Sequence, residues 1–365
     1  MRLGTFHKKR RFFINKIKIN LLSLFLNKKR NEDVNSKNIH SCLLIHDNNK
    51  IGDLIVLSSL YRELEKRGVK LSVLTTVTGK AFLSGNSKIH QFYIKESNNI
   101  NGLVKVCNQL RCQHFDIVLD PFETMPSFGH SLLLFSLRSS YILGFDKWYQ
   151  RYYSSYDLHD EKLTEHMCTR ANKILSHLYS NKSGEIFDLS YDLPLPDNIE
   201  HKITNFVGDS NIVIINPLGA KKICRLTSEQ IYNIYSRVRE ICPKYRVIFT
   251  GLPEDLQSIS IPGIEILPYD AFIYTVALTK YSKFVISVDT ALVHIASAYK
   301  IPTLALYPNS RHPSYPSHLI WAPNNCNAIQ VVSSSFTVKD ISPDVIVNSI
   351  DTLFEYKRSE HQSTS

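Results

Sequence analysis

The chain lacks the marks of several large protein classes. Its seven cysteines (Cys42, Cys107, Cys112, Cys168, Cys224, Cys242, Cys326) are odd in number and scattered. No C-x-x-C occurs, so neither a disulfide framework nor a cysteine zinc site is written into the sequence, and buried free thiols of a reducing compartment are expected. There is no H-E-x-x-H and no other paired ligand spacing, so no metal is expected. No uninterrupted apolar run approaches the ~18 to 20 residues of a membrane span. No G-x-G-x-x-G follows the first strand-like run, which removes the main support for a nicotinamide or flavin dehydrogenase. Thr78-Gly79-Lys80 has the ending of a phosphate loop, but Leu74 stands where its first glycine belongs and Ala81 where Ser or Thr belongs.

Acidic residues are also missing from one place. The first 31 residues hold ten basic side chains (Arg2, Lys8, Lys9, Arg10, Arg11, Lys16, Lys18, Lys28, Lys29, Arg30) and no Asp or Glu, while the other 334 carry 33 basic against 33 acidic. The net charge of +10 therefore sits in the N-terminus, and a neutral body argues against nucleic acid as partner. Phe12, Phe13, Ile14, Ile17, Ile19, Leu21, Leu22, Leu24, Phe25 and Leu26 interleave with those cations. Such a stretch suits a helix in the headgroup region of an anionic membrane; a solvated leader has the same composition. Lys16 and Lys18 break the apolar stretch and no small-residue cleavage site follows it, which speaks against a signal peptide. The expected location is cytoplasmic, touching a membrane surface.

With 365 residues, 43% hydrophobic and 21% charged, the chain can build two ordinary cores. Short Ile/Val-rich runs alternate with helix-length amphipathic stretches, the grammar of parallel α/β units. Strands are predicted over 41–46, 69–76, 115–120 and 141–145, the last closing its sheet, and then over 211–216, 245–250, 284–288 and 303–307. Helices are predicted over 53–67, 163–179, 228–242, 271–281 and 291–299. The aromatic and basic stretch 149–157 reads as an amphipathic loop or helix. The expected organisation is a basic amphipathic extension over 1–38, an N-terminal Rossmann-like domain over 39–192, and a proline-containing linker over 193–198. A second Rossmann-like domain over 199–350 and a polar tail over 351–365 complete it. Two such doubly wound domains face a cleft, and ligands in these folds sit at the carboxyl ends of strands.

Three constellations carry chemistry. Gly52-Asp53 lies at a strand-to-helix junction, where the carboxylate can serve as a base or simply favour the helix start. Asn216-Pro217-Leu218-Gly219-Ala220-Lys221-Lys222, with Arg225 after it, sets a glycine turn and cations behind a strand, as phosphate binding requires; a solvated basic loop is the plainer reading. Asp289-Thr290-Ala291-Leu292-Val293-His294 opens another helix, where backbone N–H groups can take a diphosphate oxygen. Taken alone, His294 fits a packed histidine and Asp289 a cap.

In this order and spacing the three resemble glycosyltransferase family 9, the ADP-heptose:lipopolysaccharide heptosyltransferases, across roughly residues 40 to 345. The family pattern is a Gly-Asp helix start, a P-G-A … K/R loop and D-T-G-x-x-H-x-A. Segments such as HDNNKIGDLIVLSS, LDPFETMPSF, INPLGAKKICRLT and YTVALTKYSKFVISVDTALVH are similar to the family's outer-core enzymes. The resemblance implies an α/β protein of GT-B fold, inverting transfer of heptose from ADP-L-glycero-β-D-manno-heptose to an outer-core glucose of lipopolysaccharide, and no cofactor or metal. It implies Asp53 as general base, Asp289 on donor hydroxyls, Thr290, Ala291 and Leu292 as the backbone diphosphate site with His294 beside it, Gly219 and Ala220 in the donor loop, and Glu254 on the adenosine ribose. Two positions depart from the pattern. Ala291 replaces the usual glycine, and Cys224-Arg225-Leu226-Thr227 replaces K-R-W-P, so the phosphate cation is expected to be Lys222 or Arg225. The alternatives are the same fold with another nucleotide-sugar, such as an N-acetylglucosamine donor, or a non-enzymatic membrane-binding module.

Overall fold

The structure is a computed structural model that describes residue 10 and residues 12–21, 39–97, 99–122, 127–145, 147, 152–157, 164–179, 186–311 and 315–363. It contains two six-stranded sheets, every strand pair parallel. The first is built from β1 (Ser41–Ile45), β2 (Lys70–Thr75), β3 (Ile89–Ile94), β4 (His114–Asp120), β5 (Arg138–Phe145) and β6 (Ser155–Asp157), in the order β3-β2-β1-β4-β5-β6. The second uses β7 (Ile212–Asn216), β8 (Arg246–Phe249), β9 (Glu265–Ile266), β10 (Phe284–Val288), β11 (Thr303–Tyr307) and β12 (Ala328–Val332), in the order β12-β11-β10-β7-β8-β9. Both are doubly wound α/β sheets with the same winding, and their switch points fall between β1 and β4 and between β7 and β10. Parallel strands covered on both faces must be apolar throughout, which is why LLI, VIFT and FVISV were readable as strands.

Several expected boundaries change. The 141–145 strand starts three residues earlier, at Arg138, and does not end its sheet, because Ser155–Asp157 pairs alongside it. That short strand occupies the last residues of 149–157; residues 148–151 lie outside the described set. The single helix expected over 53–67 is two, Ile51–Val56 and Ser58–Lys66. Helix 163–179 begins only at Thr169. The polar tail over 351–365 continues the helix Pro343–Ser363, and Leu353 and Phe354 are buried in the core of the second sheet. Most of the expected N-terminal extension, 1–9 and 22–38, lies outside the described residues; 12–21 is helical.

The chain folds as two compact units. Residues 1–50, 59–161 and 170–188 make the first, and Ile51–Ser58, Lys162–Thr169 and Leu189–Ser365 the second. The units interleave, so the segment carrying Asp53, placed by sequence in the N-terminal domain, groups with the second unit. The first unit's core runs through Leu43, Ile45, Val118, Leu134 and Ile142, and takes in Ile19 from the N-terminal helix. At the carboxyl end of β4 it buries an ionic cluster. Asp120 binds Lys147 Nζ at 2.8 Å and His130 Nε2 at 2.8 Å, and accepts from the Tyr153 hydroxyl at 2.6 Å. Burial alone would raise the Asp120 carboxyl, but Lys147 and His130 override it and hold it well below the usual carboxylate range.

Candidate active site

The second unit's switch point gathers two of the three sequence constellations. β7 ends at Asn216 beside Ser287 of β10, so the loops after both strands leave the sheet together. Thr290 caps the helix Ala291–Ala298: its Oγ1 accepts from the Leu292 amide at 3.3 Å and from Asn216 Nδ2 at 3.2 Å. The Thr290 hydroxyl in turn donates to Ser287 Oγ at 3.1 Å, because the Ser287 hydroxyl is spent on the Val288 carbonyl at 2.8 Å. Of the expected diphosphate donors Thr290, Ala291 and Leu292, the Leu292 N–H is thus taken by the cap, and the next amide, that of Val293, by the Thr290 carbonyl. The amides of Thr290 and Ala291 carry no such bond among those described and lie at the start of the helix, where N–H groups have no partner within it.

The loop after β7 closes on itself. Gly219 N–H donates to the Cys224 carbonyl at 2.8 Å, Leu226 N–H to the Pro217 carbonyl at 3.1 Å, and a 3₁₀ turn spans Lys222–Cys224. A Cβ on residue 219 would lie 2.8 Å from both Cys224 Cβ and the Cys224 carbonyl oxygen, so glycine is required for the loop to close on itself, and it would lie 3.5 Å from Thr290 Cγ2, so the closed loop lies against the Thr290 cap. Ala220, Lys221 and Lys222 are exposed at its tip.

The structure gives the cations of this loop different surroundings. The Arg225 guanidinium grips Asp255 bidentately at 2.7 and 2.8 Å and donates to the Gly219 carbonyl at 2.9 Å, so it braces the loop. Lys221 is the cation that acts on Asp289. Burial raises that carboxyl above the ordinary carboxylate range, and Lys221 offsets only part of the rise. Cys224, whose thiol is pushed up to about 12 by burial and by Asp289, packs beneath. No described contact ties Lys222 to this group. Glu254 is exposed in the helix Pro253–Leu256; its neighbour Asp255 is the carboxylate the loop uses.

His294 is no phosphate ligand in charged form. Burial, reinforced by His166, pushes it down to about 3, so the ring is neutral at physiological pH. It lies edge-on to Tyr191 and Trp321, with centroids at 6.2 and 6.1 Å. A Cβ on Gly52 would sit 3.5 Å from its Cδ2, so the helix Ile51–Val56 rests on the imidazole. His166 itself is fixed as the Nε2–H tautomer: it donates to the Ala322 carbonyl at 2.8 Å and accepts at Nδ1 from the Cys168 amide at 3.1 Å. Asp53 is the third residue of its helix, inside the first turn rather than at the cap, and is 5% exposed. All three constellations therefore belong to one unit, linked through Gly219, Thr290, His294 and Gly52. Three buried polar atoms there, Asn216 Oδ1, Thr250 Oγ1 and His294 Nδ1, have no hydrogen-bond partner among the described residues. Two of the three lie at carboxyl ends of adjacent strands, where a polar ligand would satisfy them. Among the described residues no group of three or more His, Cys, Asp or Glu could hold a metal ion.

Sequence reasoning did not assign Lys221, Asp255, Ser287, Tyr191, Trp321 or His166. Lys221 had a signal, its place in the loop. The aromatic partners of His294 come from distant segments and leave none.

A doubly wound unit whose switch point joins a glycine–lysine loop to a capped Asp-Thr helix start is the arrangement of a nucleotide-sugar transferase. The chain belongs to glycosyltransferase family 9 (heptosyltransferase), whose pattern matches residues 103–339. It is 62% identical over 354 residues to "Putative lipopolysaccharide heptosyltransferase 4" of Escherichia coli (strain K12), covering 97% of this chain and 98% of that one. It shares its fold with the E. coli ADP-heptose lps heptosyltransferase II (TM-score 0.67, 16% identity, 87% of this chain and 99% of that one). It also shares it with E. coli heptosyltransferase WaaC solved with ADP (TM-score 0.65, 15% identity, 86% and 99%). The fold is GT-B and the protein is a glycosyltransferase.

Proposed function

We propose that the protein transfers a heptose from ADP-L-glycero-β-D-manno-heptose to an outer-core glucose of lipopolysaccharide, with inversion at the anomeric carbon. The observation that carries this reading is the junction of the Gly219 loop with the Thr290 cap, beside the buried and unpartnered Asn216 Oδ1. Breaking the anomeric C–O bond leaves an oxocarbenium-like sugar and builds negative charge on the departing ADP. Lys221 and the Ala291 amide meet that charge, aided by the positive end of the helix dipole. Asp289 binds sugar hydroxyls, and Gly219, Ala220, Thr290 and Leu292 shape the diphosphate cradle. Asp53 takes the proton of the acceptor hydroxyl as it attacks the opposite face of the sugar. His294 supports the Asp53 helix as a neutral ring, and Glu254 is offered to the ribose. In this reading the second unit takes the donor and the first unit the acceptor, with no cofactor needed.

The lipid-anchored acceptor gives the N-terminus a role at the cytoplasmic face of the inner membrane. Phe13, Ile17 and Leu21, spaced four residues apart on the N-terminal helix, are 62%, 45% and 53% exposed, while Ile19 is buried in the first unit's core. That exposed stripe, with Lys18 exposed beside it, fits an anionic lipid interface. Among the described residues no helix is long and apolar enough to cross a membrane.

The roles are tested by comparing Asp53→Asn with wild type. Turnover should fall at least a hundredfold, with ADP affinity by calorimetry within twofold. Full turnover in that variant would remove Asp53 as the base.

A further inference from the structure

The segment that carries Asp53 is held by a closed ring of contacts inside the second unit. The Ser58 hydroxyl donates to the Ile55 carbonyl at 2.6 Å and accepts from the Asp192 amide at 2.9 Å. One residue on, the Leu193 carbonyl accepts from the Tyr299 hydroxyl at 2.8 Å, at the end of the helix Ala291–Ala298. That helix returns through His294 to Gly52, and Tyr191 closes the ring against the same imidazole. Asp53, Leu54, Ile55 and Val56 are all buried within it. Ser58 is 1% exposed and sits where the helix breaks: Leu57 separates Ile51–Val56 from Ser58–Lys66, with no proline present. A serine hydroxyl turned back onto a helix carbonyl is a known cause of such a break. The break also falls where the chain passes from the second unit, which ends this segment at Ser58, to the first, which resumes at Ser59.

We propose that Ser58 is a positioning residue: it clamps the Asp53 helix to the 192–193 segment, so that the base and the donor loops keep one geometry as parts of a single unit. The proposal rests on the reading of Asp53 as the base.

Two variants remove the same hydrogen bond from opposite sides, Ser58→Ala by deleting the acceptor and Asp192→Pro by deleting the amide donor. Each should lower kcat about tenfold while the KM for donor and the affinity for ADP stay within twofold. The double variant should lose no more than the weaker single, and Ser58→Thr, which keeps the hydroxyl, should recover most of the rate. Hydrogen exchange should speed up in 51–58 and 189–193 together in both singles and stay unchanged in the β1 and β2 strands. Unchanged kcat and exchange in Ser58→Ala, or losses that multiply in the double variant, would overturn the clamp. Should Asp53→Asn retain full turnover, the base reading fails on its own, and the exchange data still decide whether the helix is clamped.

Discussion

Lys221, Lys222 and Arg225 stand within five residues of one another, yet their surroundings give them different work. Arg225 is consumed by Asp255 and the Gly219 carbonyl, and Lys221 is the cation that acts on Asp289. Lys221→Ala should therefore weaken ADP about tenfold or more by calorimetry, as expected for losing one charge-assisted contact. Lys222→Ala should change it less than twofold. Arg225→Ala should show first as a drop in stability of ~1 to 3 kcal/mol. From the sequence, the phosphate role is expected of Lys222 or Arg225, and composition does not reveal that the Arg225 guanidinium is already paired with Asp255. His294 shows the same limit: its place in the motif was legible, its neutrality was not, since burial and His166 come from the fold. The folded protein binds His294 neutral, so its contribution to stability is complete above about pH 6.5, the unfolded value, and is lost as pH falls towards about 3. His46, pushed down to about 4 by burial, adds to the same slope. Denaturation midpoints should fall steadily between pH 6.5 and 4, and His294→Phe should flatten that fall; an unchanged slope would place the titration elsewhere.

At the scale of elements, fully buried parallel strands were the most legible feature, since a run such as NIVIIN has one plausible environment. The strands that escaped, β3, β6, β9 and β12, are the outer ones, mixed in pattern or only two to three residues long, and depend on their neighbours for pairing. The break at Leu57 was hidden because Ser58 and Ser59 are ordinary helix residues until a partner draws one hydroxyl away. The Asp120 cluster was equally invisible, its members lying far apart in the chain. Lys147 has no exposed side-chain surface and Asp120 has 2%, so removing either partner strands the other charge in the core. Asp120→Asn or Lys147→Met should cost ~3 to 5 kcal/mol in urea denaturation. The carboxylate's contribution is present above pH ~4 and lost below it, so the wild type's advantage over Asp120→Asn should shrink in acid.

For the whole molecule, the repetition of one α/β grammar foretold two doubly wound sheets, and their shared strand order bears that out. What linear reading could not give is the interleaving of the units, because whether residues 51–58 pack with what precedes or follows them is decided by distant partners such as His294 and Asp192. The N-terminal helix yields a prediction at this scale. Phe13→Ser with Ile17→Ser should abolish sedimentation with anionic vesicles while leaving the melting temperature within about 2 °C, because both side chains are exposed. Binding that survives both changes would place the lipid contact elsewhere. The central claim is tested most directly by incubating the purified protein with ADP-heptose and lipopolysaccharide truncated in the outer core, and following the acceptor by mass spectrometry. A gain of one heptose, absent in Asp53→Ala, is the predicted result. No gain from ADP-heptose, with transfer from a UDP-sugar to the same acceptor, would contradict the donor assignment and with it the proposed function.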